Sequence, residues 1–394
     1  MYQFNSKKIK PGDTFLCLPK GEKHLEEAMQ NEASDYIVLN RPEMAKLAAK
    51  HYNYPSKKLT VIGITGTKGK TTTSYLLKAA LELAGFKPYV LGTLNSDLTT
   101  PESLDTQRLM AEHLKNKGTH FIMEVSSQGI AQHRIDQIDF DIKIFTNISL
   151  EHLDLHGTFA NYKKIKMGFM RKGKNIKLYP QDWQIEKIWF KHNLLGKFNA
   201  QNLKTAICAL KKLNLKEKII GKALSNISIP GRFETINQNQ DFLVVVDFAH
   251  TPDSLKNTLQ TAKEITLKQS GSLLTLIGCG GNRDRQKRPL MAKIAADLSD
   301  YFIITQDNPR AENPAQIIDD MLKGLPQDIH NYQVINDRRQ AIHSLINQAK
   351  TNDVVIIAGK GHETYQIIGH QKHPFDDRVE ARLALKKKKN ANRN

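Results

Sequence analysis

The chain has 394 residues and a formal charge of +18, from 58 lysines and arginines against 40 aspartates and glutamates. Its 40% hydrophobic and 25% charged content is that of an ordinary soluble globular protein, long enough for two or three domains. No apolar run approaches the ~18 residues of a membrane span. The N-terminus lacks an apolar signal core, so a cytoplasmic location is expected. Cys17, Cys208 and Cys279 are too scattered for a disulfide framework or a metal-ligand spacing. The positive charge raises the question of nucleic acid. Much of it is dispersed lysine, such as Lys7, Lys8 and Lys10, with no stacking-aromatic motif beside it and no recognised nucleic-acid module. No nucleic-acid partner is therefore expected, and a phosphate-rich small substrate accounts for the functional lysines. The Lys386–Lys389 run is expected to lie in a polar tail that does not fold.

In chain order, residues 1–58 form a short leading α/β segment. It has a turn at Lys10–Asp13, strands over 14–18 and 36–39, and a helix over 24–30. Thr60 to Thr65 is a β-branched apolar run that reads as a buried strand. A glycine-rich turn follows, Gly66-Thr67-Lys68-Gly69-Lys70-Thr71, and then a helix from Thr72 to Ala84. Its apolar face is Leu76, Leu77, Ala80 and Leu83, and Gly85 caps it. Strand, glycine turn and helix make a phosphate cradle, with backbone N–H groups and the helix N-terminus facing the anion. Lys70 reaches the β- and γ-phosphates of ATP or GTP in such a cradle, and the Thr71 hydroxyl faces magnesium. The longer form of this pattern has a glycine where Ile64 stands, so a tight turn with a solvated lysine remains the competing reading.

A polar loop at 95–101 leads to a helix through Met110. The strand Phe121–Met123 ends in Glu124, a candidate magnesium contact or a solvated strand end. Ile142 to Phe145 is a further strand, leading to a loop whose histidines, His152 and His156, are metal ligands or structural. From Gly231 onward the strands 243–247, 273–278, 301–305 and 353–358 alternate with helical stretches, which predicts a second doubly wound parallel sheet. Each ends in a charged loop: Asp247 to Pro252, Gly278 to Pro289, Asp307-Asn308-Pro309-Arg310, and Gly359-Lys360-Gly361-His362-Glu363. Four such loops on one edge suit anionic ligands.

With these loops in view the sequence resembles the Mur ligases, the ATP-dependent amide ligases of peptidoglycan precursor synthesis. The motifs are TGTKGKTTTS, NSDLTTPE, MEVSSQGIAQHR, FTNISLEHLDLHG, LLGKFNAQN, VVDFAHTPDSL, GCGGNRDRQKRP, DNPRAENP and AGKGHETYQIIG. They run in order from about Thr60 to Arg382 and look like the branch that adds the third stem-peptide residue. The resemblance implies an α/β fold of three domains. These are a shortened N-terminal UDP-sugar domain (1–58), a central P-loop parallel-sheet ATPase domain (59–232) and a C-terminal Rossmann-like amino-acid domain (233–394).

It further implies ATP and magnesium. Gly66, Thr67, Lys68, Gly69, Lys70, Thr71 and Thr72 would form the phosphate loop. Glu124, His152 and Lys166 would serve a second magnesium, with Lys166 carbamylated; an unmodified surface lysine is the alternative. Asn199 and Asn202 would hold adenine, and Asp247 and His250 would contact nucleotide. Thr99, Thr100, Ser126, Gln132 and Arg134 would grip a UDP-muramyl dipeptide, with Ser6 on the uridine side. Arg288, Asp307, Asn308, Arg310, Gly359 and Glu363 would receive the incoming amino acid. Asp-Asn-Pro-Arg resembles members selecting meso-diaminopimelate, for whose far carboxylate an arginine is a bidentate partner. A monomer is expected. Three departures stand out: Lys68 in place of the usual asparagine, the short leading domain with Asn5-Ser6-Lys7 for Asp-Ser-Arg, and a compressed stretch between Lys166 and Gly196. They keep open a Mur-like ligase with another acceptor, and, in a different class, a non-catalytic nucleotide- or nucleic-acid-binding protein.

Overall fold

A computed structural model describes residues 1–149, 153–183 and 187–391. The chain forms two compact units: Met1–His192 with Phe198–Ile227, and Asn193–Lys197 with the chain from Ser228 on.

In the first unit the leading segment pairs Tyr2–Gln3, Thr14–Cys17 and Asp35–Val38 into a small parallel sheet. Its helix Arg41–His51 starts on a reciprocal cap between Asn40 and Glu43, with Pro42 in the first turn. A five-stranded parallel sheet follows, ordered Pro88–Leu91, His120–Val125, Thr60–Thr65, Ile142–Phe145, Ile176–Leu178. The central strand is the first in sequence, and later strands add on both sides of it. The loop after Thr65 therefore opens at the switch in strand order, where open α/β sheets bind ligands. Register sets Ile64 beside Glu124 and Thr65 beside Phe145. The strand Thr60–Thr65 is buried beyond its first residue, as a strand covered on both faces must be.

The helix after the loop spans Lys70–Leu83, two residues earlier than the sequence pattern suggests. It buries Leu76, Leu77, Ala80 and Leu81, whereas Leu83 is 44% exposed. Its end is a Schellman motif. Gly85 N–H donates to Glu82 O and Phe86 N–H to Leu81 O, with Gly85 at φ +86°. Between Lys166 and Gly196 the described residues contribute one three-residue edge strand, Ile176–Leu178.

The second unit holds a six-stranded sheet ordered Tyr332–Val334, Tyr301–Gln306, Leu273–Cys279, Val354–Ala358, Leu243–Asp247, Glu234–Ile236. All pairs are parallel except the last. The expected doubly wound sheet is thus present, with an antiparallel edge. A hairpin, Tyr365–Ile368 and Gln371–Pro374, follows the last central strand.

The C-terminal lysine run is helical, contrary to the expectation of an unfolded tail. Asp377–Ala391 is one helix that buries Ala381, Ala384 and Leu385 against a core including Ala341, Ile342 and Leu345. Lys388 continues that stripe one turn on. Its Nζ donates to the carbonyls of Ile346, Asn347 and Ala349 at 3.2, 2.7 and 2.6 Å, satisfying the end of the helix Arg338–Gln348. At the other end Arg338 and Asp377, both fully buried, pair at 2.7 Å.

Candidate functional site

The phosphate-type loop is braced from the segment after the strand Ile142–Phe145. Thr67 N–H donates to Asn147 O at 3.0 Å and Lys68 N–H to Asn147 Oδ1 at 2.9 Å. The Thr146 hydroxyl donates to Lys68 O at 2.6 Å. Thr67 Oγ1 lies 3.0 Å from the Tyr162 hydroxyl. Gly69 turns the chain into the helix at φ +81°, a left-handed conformation that favours glycine, and a Cβ there would also displace the Asn202 amide, 2.3 Å away at Oδ1. Lys70 folds over the loop, Nζ donating to Gly66 O at 2.8 Å and Thr67 O at 2.9 Å.

Glu124, 1% exposed, faces the helix start rather than solvent. Its Oε2 accepts from Thr71 Oγ1 at 3.1 Å and Thr93 Oγ1 at 3.0 Å, and its Oε1 from Thr93 N–H at 3.2 Å. Carboxylate and hydroxyl oxygens beside a phosphate-type loop are the donors magnesium prefers, and in that chemistry the residues fit the ion. Among the described residues no three His, Cys, Asp or Glu side chains cluster as a metal site. His152 lies outside the described residues. His156 Nε2 stands 2.9 Å from Ser127 Oγ.

Lys166 is 1% exposed, a buried lysine and not a surface one. Its Nζ donates to Gly66 O at 2.9 Å and Thr65 Oγ1 at 3.4 Å, and lies 5.0 Å over the Tyr162 ring. Tyr162 is one helical turn earlier, so both side chains project from one face of the helix Phe159–Arg171 onto the loop. Asn199 and Asn202 are buried in the first turns of the helix Lys197–Lys212, 3.4 Å apart through their amides. Thr72 is buried in the helix beside Thr71.

A polar cluster adjoins Glu124. The Thr100 hydroxyl donates to Glu124 O at 2.9 Å and lies 3.1 Å from Ser126 Oγ. Thr99 reaches Thr93, 3.1 Å between hydroxyls. Arg134 donates to Thr100 O at 2.9 Å and to Gln132 Oε1 at 2.5 Å, and pairs with buried Glu102 at 3.2 Å. Glu102 also binds Arg41 at 3.1 Å, which ties the leading segment to the cluster. Thr99, Thr100, Ser126, Gln132 and Arg134 therefore come together. Ser6 stands in the leading segment, buried, its hydroxyl donating to Glu27 at 2.6 Å.

In the second unit Asp307, Asn308, Arg310, Gly359 and Glu363 gather at the carboxyl ends of two strands. Asn308 Nδ2 donates to Glu363 Oε2 at 2.8 Å. Gly359, at φ +118°, abuts Asp307. Arg310, at φ +53°, donates from its backbone to Ile367 O at 3.0 Å and through Nη1 to Gly281 O at 3.0 Å. Arg288 is fully buried, and its fork is turned to Glu312 at 2.8 and 2.7 Å and to Asp320 at 3.0 Å. Arg288, with Arg285 and Asn282 N–H, holds the Glu312 carboxyl well below the usual carboxylate range. The Arg288–Glu312 pair therefore braces the glycine-rich loop. Asp247 spends its oxygens on Phe233 N–H at 2.7 Å and Thr258 Oγ1 at 3.0 Å. His250 Nδ1 sits 2.8 Å from Phe248 O.

Sequence reasoning gave no individual role to Thr93, Thr146, Asn147, Tyr162 or Glu102, nor to Lys360, which it placed only within a charged loop. Only Tyr162, four residues before Lys166, and Lys360, inside a glycine pair, carried a local signal.

Two family models match: "Mur ligase middle domain" over residues 64–192 and "Mur ligase, glutamate ligase domain" over 231–361. The UDP-N-acetylmuramoyl-L-alanyl-D-glutamate--2,6-diaminopimelate ligase of Syntrophomonas wolfei is 35% identical over 463 aligned positions, covering 98% of this chain and 94% of the relative. That of Clostridioides difficile is 36% identical over 461, covering 98% and 94%. Both alignments exceed the 394 residues of this chain, so the relatives carry segments that it lacks. A solved structure of a ligase of that name is 30% identical with TM-score 0.62, covering 98% of this chain and 95% of the other. The MurF ligase of Thermotoga maritima in complex with ADP shares the fold, at 17% identity and TM-score 0.64, covering 100% and 98%.

Proposed function

This chain belongs to the Mur ligase family, whose members are ATP-dependent amide ligases, and we propose that it joins meso-diaminopimelate to UDP-N-acetylmuramoyl-L-alanyl-D-glutamate in peptidoglycan precursor synthesis. The observation that carries this reading is the 35% identity to diaminopimelate-adding ligases over 98% of the chain. The gathering of Asn308, Arg310 and Glu363 supports it. We read the chain as three domains, 1–58, 59–232 and 233–394, and as a cytoplasmic monomer. No described helix is long and apolar enough to cross a membrane.

In this reading the dipeptide carboxylate oxygen attacks the γ-phosphorus of ATP and ADP leaves. The amine nitrogen of diaminopimelate, in its neutral form, then attacks the acyl carbon, and the tetrahedral adduct loses a proton from nitrogen and expels phosphate, which carries that proton away, to leave the amide. Two anions must meet, so charge neutralisation and exclusion of water dominate the barrier. Lys70 serves the phosphates. Thr71 would face a first magnesium, and Glu124 and His152 are assigned to a second; when bound the ions supply charge neutralisation at the phosphates. Lys166 as a carbamate would keep one N–H for Gly66 O and add an anion to that site; its burial beside the loop is the support. Asn199 and Asn202 are assigned to adenine, and Asp247 and His250 to nucleotide. Thr99, Thr100, Ser126, Gln132 and Arg134 are assigned to the muramyl dipeptide. Arg310 would pair with the far carboxylate of diaminopimelate and Glu363 with its far ammonium. Asp307, Asn308 and Gly359 shape that pocket, and Arg288 acts behind it through Glu312.

The test is phosphate release from ATP and the UDP-muramyl dipeptide with meso-diaminopimelate, L-lysine or neither. Release dependent on diaminopimelate is expected. The second reading, a ligase of this family with another acceptor, is favoured by the Ser6 hydroxyl being committed to Glu27. ATP binding with no release under any of the three conditions, and no binding of the UDP-muramyl dipeptide, would shift the conclusion to it.

A further inference from the structure

Lys360 has no solvent exposure at all, yet it lies in a loop of the amino-acid pocket. Its Nζ stands 2.9 Å from Glu363 Oε2 and 3.1 Å from Asn308 Oδ1. Asn308 closes the triangle, Nδ2 donating to the same Glu363 oxygen at 2.8 Å. The sense of the Asn308 amide is set twice over, because Oδ1 also accepts from Ile367 N–H at 2.9 Å. Two donors converge on Oε2, which fixes the Glu363 rotamer. The Glu363 side chain is 19% exposed, so the carboxylate still reaches solvent.

A buried ammonium is costly unless paired, so this arrangement is a charge device and not a packing accident. Around the pocket Arg310 and Lys360 are set against Asp307 and Glu363, and both acids lie within electrostatic reach of Arg310. Their formal charges cancel. The neighbouring Arg338 is spent on Asp377; Arg283 is also within electrostatic reach of Arg310, but it is exposed and screened by solvent, so the balance is that of the groups lining the pocket. A pocket with balanced charges suits a ligand end that is itself balanced, an ammonium and a carboxylate on one carbon. It penalises a lone ammonium, which would leave the pocket one positive charge in excess and Arg310 without a carboxylate to pair.

We propose that Lys360 is a positioning residue that sets amino-acid selectivity: by pairing with Glu363 and orienting Asn308 it tunes the pocket to a zwitterionic far end and against the lone ammonium of L-lysine. This rests on the diaminopimelate reading above.

The experiment compares kcat/KM for meso-diaminopimelate and L-lysine in the full-length protein, in Lys360→Met, and in the double variant Lys360→Met with Glu363→Gln. Lys360→Met leaves the pocket one negative charge in excess. The diaminopimelate-to-lysine ratio should fall by roughly tenfold or more, while the KM for ATP stays within about twofold. The double variant removes both charges and leaves no unpaired buried ion, so its ratio should return toward that of the unaltered protein. A merely structural lysine would lower both substrates equally and leave the ratio unmoved in both variants; that result overturns the proposal. If Lys360→Met does not fold, Lys360→Gln, which removes the charge but keeps a donor for Glu363 and Asn308, takes its place: a diaminopimelate-to-lysine ratio lowered to a similar extent supports the charge account, and an unmoved ratio overturns it. Absence of diaminopimelate-dependent release in the unaltered protein would sink the functional reading and this inference together. Equal losses in variants of an active protein would sink this inference alone.

Discussion

Thr71 and Glu124 are 53 positions apart in sequence and meet at 3.1 Å, hydroxyl to carboxylate, beside the phosphate-type loop. Thr93 donates to the same carboxylate from both its hydroxyl and its backbone. Glu124→Gln preserves shape and hydrogen-bonding capacity and removes only charge. It should lower turnover by roughly 10²-fold or more and raise the magnesium concentration needed for half-maximal rate. Initial rates over a magnesium titration check this. An unchanged magnesium dependence would remove Glu124 from the metal assignment.

Lys166 delivers its amine to the back of the same loop. Lys166→Ala should be nearly inactive, with activity partly restored by a short carboxylic acid that replaces the carbamate. Lys166→Met, which keeps most of the stem, should not be restored, because the added acid finds no room. Turnover of Lys166→Ala that needs neither carbon dioxide nor added acid would count against the carbamate.

Arg310 holds a left-handed backbone conformation, pinned between Ile367 O and Gly369 N–H at 3.0 and 2.8 Å. Its guanidinium is thereby aimed by the hairpin as well as by its own loop. Arg310→Ala should raise the KM for diaminopimelate by roughly 10- to 100-fold, the size of a lost charge-assisted bond, with little change in the KM for ATP. Equal losses for both substrates would make Arg310 structural.

Lys143, 3% exposed, caps the helix that carries Lys166, donating to Phe169 O and Lys172 O at 2.9 and 2.6 Å. Burial first, then the charges of Lys177 and Lys172, push its pKa down to about 8. Below pH 8 the residue is protonated in both folded and unfolded chains, and its contribution is at its least favourable. Between pH 8 and the ~10.4 of an unfolded lysine, the unfolded chain holds more of this proton, so stability rises with pH. Urea unfolding from pH 7 to 10 should show the unaltered protein gaining on Lys143→Met by on the order of 2 kcal/mol. Parallel pH profiles for the two proteins would refute the burial account.

The elements most legible in sequence were those with one strong local cause. Thr60–Thr65, Ile142–Phe145 and Leu243–Asp247 are short β-branched or apolar runs bounded by polar or glycine residues, and they form as read. Errors arose where two causes competed. In the helix Lys70–Leu83 either Leu81 or Leu83 continues an apolar pattern, and packing against the sheet chose Leu81. In the C-terminal helix the lysine run hid a stripe of Ala381, Ala384, Leu385 and Lys388, where a long stem runs along the core and its ammonium reaches three carbonyls.

Periodicity, glycine placement and ordered motifs are local properties of a chain, and from them the two larger, mainly parallel sheets, the phosphate-type loop and the family are legible. Which groups meet is a long-range property that the folded chain alone reveals. Lys166 lies 100 positions from the Gly66 carbonyl it contacts, and Lys360 lies 52 from Asn308. Periodicity reports which face of an element is buried but says nothing of what it is buried against. Strand order settles that: it brings Glu124 alongside the loop strand, and it stacks the loops after Gln306 and Ala358 into one pocket where a buried lysine and a glutamate can balance.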